Sequence, residues 1–102
     1  MNSLTISLTE EIFKKSKNYW NSAECPIAIS VNSLLKKGFV AIVGGYDIAV
    51  YKRRDDDQLT LDKFAECIKI PLELIDAAKN RREIQSEVFF NVSVSSFAKG
   101  QQ

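Results

Sequence analysis

The sequence predicts an α+β fold: a small, mostly antiparallel sheet built around a Gly-Gly hairpin and packed against about three helices. Three observations carry that expectation. Phe39 to Lys52, FVAIVGGYDIAVYK, is two apolar runs joined at Gly44-Gly45, the pattern of a β-hairpin. Cys25-Pro26 and Ile70-Pro71 each lead into apolar residues at helical spacing. Glu87 to Val94 sends Val88, Phe90, Val92 and Val94 one way and Phe89, Asn91 and Ser93 the other, as a strand does. The resulting order is strand, helix, helix, hairpin, helix, strand, which reads as an α+β domain with one mostly antiparallel sheet.

At 102 residues the chain makes one domain, 1–102, with only weak signal over residues 97–102. A chain this short buries a limited share of its surface, so a homo-oligomer is expected. The formal net charge of +1 argues against strong non-specific nucleic-acid binding, which needs a basic field. Histidine is absent, which removes the commonest general base and transition-metal ligand. Cys25 and Cys67 form neither a disulfide framework nor a zinc motif. They read as free thiols in a reducing cytosol, with no metal and no cofactor implied. The start, MNSLTISLTEEIF, lacks the basic and apolar regions of a signal peptide. No apolar run reaches membrane-spanning length, so a cytoplasmic protein without a membrane partner is expected.

Taken in order, Leu4–Leu8 alternates and predicts a short strand at a sheet edge. Thr9 is a good helix N-cap, with Glu10 and Glu11 at the positive end of the dipole. Leu8 and Phe13 fit a hydrophobic staple. Ile12, Phe13, Ser16, Tyr19 and Trp20 share a helical stripe whose aromatics anchor a core. Polar residues 21–24 end this helix, and Cys25-Pro26 opens the next. That helix buries Ile27, Ala28, Val31, Leu34 and Leu35, and Lys36, Lys37 and Gly38 stop it. With Gly44-Gly45 as a two-residue turn, Val43 pairs with Tyr46, Ala41 with Ile48 and Phe39 with Val50. The hairpin's second face, Val40, Ile42, Ala49 and Tyr51, is apolar enough to meet a partner subunit.

Lys52-Arg53-Arg54 then runs into Asp55-Asp56-Asp57, either a phosphate grip or a solvated turn of offsetting charges. Residues 59–70 fit both a helix capped by Thr60 and a strand. The expectation is a short helix or turn that gives way to extended Ile68–Ile70 before proline. A third helix runs from Pro71 to about Arg81, with Leu72, Leu74, Ile75 and Ala78 apolar.

Three patterns, taken in this order, carry a resemblance. They are Thr9-Glu10-Glu11-Ile12 leading into Cys25-Pro26-Ile27-Ala28, the hairpin Val43-Gly44-Gly45-Tyr46, and Ile70-Pro71-Leu72-Glu73 followed by Glu87-Val88-Phe89-Phe90-Asn91-Val92. Together they resemble small phage-encoded proteins of unassigned function that share a CPIALAL-like motif. Ile29-Ser30-Val31 departs from that motif's Leu/Ala run, and residues 53–64 are longer and more charged. The resemblance implies phage or prophage origin, with counter-defence as the setting, and no known activity.

An enzyme is not expected. No nucleophile stands beside a base, and Gly44-Gly45 joins strands instead of leading into a helix. Cys25 at a helix N-terminus invites a lowered thiol pKa, yet no histidine accompanies it. The leading expectation is a module that captures a small anionic, nucleotide-like molecule. Its candidate residues are Lys52, Arg53 and Arg54 for phosphate, Trp20, Tyr46 and Tyr51 for base stacking, and the helix start at Cys25. The rival is an inhibitor that coats a host protein through the hairpin's apolar second face. A DNA-binding regulator is the weakest reading, because no helix is predominantly basic.

Overall fold

The computed structural model describes residues 2–54 and 61–99. Asp55, Asp56, Asp57, the Thr60 cap and residues 100–102 lie outside them. The α+β expectation holds, and the strands divide between two sheets. A two-stranded ribbon joins β1 (Ser3–Leu8) to β6 (Ile84–Phe89), antiparallel, with Leu4 opposite Val88 and Leu8 opposite Ile84. A second sheet centres on β3 (Asp47–Arg53), with β2 (Phe39–Val43) on one side. On its other side lie β4 (Leu61–Lys63) and β5 (Ile68–Lys69). The helices are α1 (Glu10–Lys15), α2 (Pro26–Ser33) and α3 (Leu72–Lys79). One core takes Leu4, Ile6 and Leu8 from the ribbon, Ala41, Val43, Ile48 and Val50 from the second sheet, and buried faces of α2 and α3.

Helix α1 begins as expected, with the Thr9 hydroxyl accepting from the Ile12 N–H at 3.3 Å. It ends five residues short of Trp20. The Asn18 side chain accepts from the Trp20 N–H, and the Asn21 side chain from those of Ala23 and Glu24. Such local bonds compete with the helix. The Lys17 N–H also donates to the Glu24 carbonyl, closing a loop. Tyr19 is therefore buried from a loop, while Trp20 is 66% exposed, against the expectation that both anchor the core.

Cys25 caps α2 and Pro26 occupies its first turn. The helix stops at Ser33, earlier than Lys36-Lys37 implied. Gly38 does adopt a left-handed φ of +94°. It does so inside a turn closed by the Phe39 N–H on the Lys36 carbonyl, and not as the helix cap.

The hairpin is present with its turn one residue later than expected. Val43 pairs with Ile48, Ala41 with Val50 and Phe39 with Lys52. The Gly44 N–H donates to the Asp47 carbonyl at 2.8 Å, so Gly45-Tyr46 form the loop. Moving the turn by one residue changes each partner by two, and side-chain faces are conserved. Ala41, Val43, Ile48 and Val50 therefore still point into the core. Gly45 has φ +74°, whereas a side chain at Gly44 would meet only the Asp47 carboxylate, its Oδ1 at 2.8 Å and Cγ at 3.9 Å. Gly45→Val is expected to cost about 2 kcal/mol or more, because a β-branched residue resists that φ. Gly44→Ala is expected to cost less, since Asp47 can swing aside. Urea melts of both variants check the order, and a wild-type midpoint for Gly45→Val would displace the turn.

The stretch after the acidic run pairs as strand β4, overriding the short-helix expectation. Its backbone completes the edge of β3, with Tyr51 opposite Lys63 and Arg53 opposite Leu61. Lys52 and Arg53 thus belong to a strand, not to a solvated turn. Helix α3 ends with the Arg82 N–H on the Ala77 carbonyl and the Arg81 N–H on that of Ala78. This is a left-handed stop made by Arg81, at φ 52°, where glycine is usual. Leu72, expected on the apolar face, is 77% exposed at the start of α3. The last strand stops at Phe89, and Val94–Ser96 form a single 3-10 turn. The tail, unreadable from sequence, buries Phe97 and Ala98.

Candidate functional site

The strand β3 is seven residues long, about 20 Å from end to end. The candidate residues gather at its two ends, not at one place.

Trp20, Cys25 and Tyr46 lie toward the hairpin tip. The Tyr19 hydroxyl donates to the Gly45 carbonyl, and the Ile70 N–H donates to the Tyr46 carbonyl at 2.8 Å. Trp20 meets Tyr19 edge-on at 5.3 Å, and the Lys79 ammonium stands 4.8 Å from the Trp20 ring centre. Tyr46 is exposed on the turn. Cys25 lies beneath, fully buried, its Sγ accepting from the Ala28 N–H at 3.4 Å. Burial pushes its thiol pKa up, and backbone N–H groups only partly offset that. The activation expected of a helix start is therefore reversed, and a ligand cannot reach the sulfur. Cys67 is an exposed free thiol.

Burial also pushes Tyr19 up to about 12, helped by the negative charges that Cys25, Tyr46 and Asp47 can carry. The ordinary value is 10.0. The folded state therefore holds the phenolic proton more tightly than the unfolded chain. Its stabilising contribution is present below pH 10 and is lost as pH rises from about 10 through about 12. The loss is on the order of 2–3 kcal/mol. Tyr19→Phe should remove that part of the alkaline fall in stability, read as the difference between urea titrations of variant and wild type across this range.

At the other end, strand alternation sorts the basic residues onto two faces. Tyr51 and Arg53 point to the outer face of the sheet, away from the core strands' buried side. Lys63 lies directly opposite Tyr51 on that same face, and Val40 opposite Tyr51 on the other flank. Gly38, whose carbonyl accepts from the Arg53 N–H, leaves the place beside Arg53 without a side chain. Lys52 and Arg54 belong to the opposite side. Arg54 Nε is bonded to Asp62 Oδ1 at 2.8 Å, and the Lys52 ammonium stands 6.0 Å from the Phe39 ring centre. Lys63 was missed from sequence because its position depends on a strand pairing across the acidic run. Its alternation with Leu61 was the only available signal.

A further cleft of about 220 Å³ runs between β1 and α2, lined by Thr5, Ser7, Thr9, Ser30 and Ser33 with Ile12 and Leu34. Its serines are engaged: the Ser30 hydroxyl donates to the Ser7 carbonyl and the Ser33 hydroxyl to the Ser30 carbonyl. Among the described residues no group of three His, Cys, Asp or Glu side chains could hold a metal ion, and no helix is long and apolar enough to cross a membrane. In comparisons with known proteins, no family model, no curated protein and no solved structure matches the chain.

Proposed function

We propose that the protein is a non-enzymatic binding module that captures a small anionic, nucleotide-like molecule on the outer face of its second sheet. The observation that carries this reading is the register that sets Lys63 across from Tyr51, with Arg53 two residues along the same face. A base stacks on the Tyr51 ring, and the two cations take the phosphate in the space that Gly38 leaves open. Both cations are exposed, so the anion reaches them without rearrangement. In the setting implied by the resemblance to small phage proteins, capture of this kind would sequester a nucleotide immune signal and so counter host defence in the cytoplasm.

The second reading is docking on a host protein, and the exposed aromatics favour the hairpin tip for it over the hairpin's second face. Trp20 and Tyr46 both stand more than half exposed there. Residues of these types dominate binding hot spots.

The deciding experiment is a thermal-shift screen against cyclic and linear nucleotides, followed by calorimetry. A ligand at a hundredfold excess over its Kd stabilises the protein by about 2.7 kcal/mol. Arg53→Ala with Lys63→Ala should weaken binding by roughly 3 kcal/mol or more, since charge-assisted hydrogen bonds contribute about 1.5–3 kcal/mol each. Lys52→Ala, on the other side of the sheet, should leave affinity unchanged. Equal affinities in wild type and the Arg53/Lys63 variant would move the site elsewhere. A screen without any shift would leave protein docking, tested by capture from host lysate with and without Trp20→Ala.

A further inference from the structure

The chain protects its sheet edges unevenly. The free edge of β2 is capped: the Asn32 side chain bonds both backbone groups of Ala41, and the Val43 N–H donates to the Ser22 carbonyl. On β1, the Ser7 carbonyl accepts from Ser30 of α2. Strand β4 is only three residues long and carries Lys63, both of which blunt an edge. Strand β6 is six residues long, carries a single charge at Glu87, and has no side chain bonded to its outward backbone groups among the described residues. The Phe90 N–H donates to the Asn2 carbonyl, which sets the alternation of the ribbon. Ile84, Ser86 and Val88 therefore turn their backbone groups toward β1, and Gln85, Glu87 and Phe89 turn theirs outward. Among the described residues no hydrogen bond reaches those outward groups. The side chains of Gln85, Glu87 and Phe89 are all exposed, and Phe89 is one of few large apolar side chains left so.

We propose that β6 pairs antiparallel with β6 of a second copy, making a four-stranded sheet from two ribbons. An antiparallel pair of identical strands satisfies a twofold axis, so one edge completes the other. Two registers pair five residues of the strand. One sets Glu87 opposite Glu87, which like-charge repulsion disfavours. The other centres on Ser86, with Gln85 opposite Glu87 and Ile84 opposite Val88. There the amide meets a carboxylate twice by symmetry, and Phe89 folds over the partner's chain near its Glu83. Charge selects this second register. The pairing is independent of the nucleotide reading, because β6 and the Tyr51 face belong to different sheets.

The test is sedimentation of the full chain over a concentration series. Wild type should pass from monomer to dimer. Glu87→Pro removes an N–H that β1 does not use, so the monomer should fold with a wild-type circular dichroism spectrum and the dimer should be lost. Gln85→Glu should weaken dimerisation, and Gln85→Lys should strengthen it, each by about tenfold in Kd. A wild type that stays monomeric throughout would overturn the proposal. So would a dimer that tolerates Glu87→Pro, or one whose Kd is the same in both Gln85 variants. If Glu87→Pro fails to fold, the opposed shifts of the Gln85 pair decide alone.

Discussion

Phe97→Ala should remove about 3–5 kcal/mol of stability, as full truncation of a buried aromatic does. Phe97 is fully buried, although it sits five residues before the last residue of the sequence. Its ring packs edge-to-face on Phe90 at 5.2 Å and on Phe64 at 6.0 Å, and Phe64 in turn meets Phe39 at 5.2 Å. The four rings form a chain that ties the end of β6 to β2 and to the end of β4, so Phe97 joins the two sheets. Each edge-to-face contact adds about 0.5–1.5 kcal/mol beyond burial. The backbone reinforces the position: the Lys36 N–H donates to the Phe97 carbonyl and the Lys99 N–H to that of Leu34, both at 2.8 Å. Domains of this kind have only about 5–15 kcal/mol in total, so the variant should be partly unfolded at moderate urea. Leu72→Ala is the control, because that side chain is 77% exposed and its loss should change the urea midpoint little. A loss below about 1 kcal/mol for Phe97→Ala would mean that the tail does not dock as described.

What the sequence could reveal depended on how local each cause was. The α2 start was legible because a proline after a capping residue acts within one turn. The hairpin faces were legible because period-2 alternation survives a one-residue error in the turn, even though Gly45-Tyr46, and not Gly44-Gly45, forms the loop. The truncation of α1 had a local cause too, in Asn18 and Asn21, but the apolar stripe through Trp20 outweighed it. The role of Phe97 had no local cause at all. A single aromatic among polar residues carries no period, and only the distant Phe64 and Phe90 give it a place. The same division holds at the candidate site. Alternation along β3 separates Tyr51 and Arg53 from Lys52, and that can be read within four residues. The addition of Lys63, and the loss of Arg54 to Asp62, require β4 to be paired with β3.

Asn32→Ala should cost about 2–4 kcal/mol, a large effect for a side chain that is not itself hydrophobic. The Asn32 amide sits on α2 and behaves toward β2 as a neighbouring strand would. Its Oδ1 accepts from the Ala41 N–H at 2.8 Å, and its Nδ2 donates to the Ala41 carbonyl at 3.1 Å. Nδ2 also donates to the Ala28 carbonyl at 2.9 Å, which holds the amide in place. Ala41 is fully buried, so water does not replace the lost partners. Two buried backbone groups left unpaired cost about 1–3 kcal/mol each, against a gain of roughly 0.5 kcal/mol in helix propensity for alanine. Asn32→Asp separates the hydrogen-bond account from simple loss of volume. It keeps the shape and the acceptor but aims a carboxylate at two carbonyls. It should therefore be at least as damaging at neutral pH and recover in part below pH ~4, where the carboxyl becomes protonated and can donate again. Urea titrations of both variants at the two pH values check this. Similar stability of Asn32→Ala and wild type would mean that the edge of β2 is satisfied another way. The Ala variant carries a second consequence, because it uncovers a sheet edge that the native chain keeps closed. Light scattering should show it aggregating at concentrations where wild type does not, since unpaired edges template association.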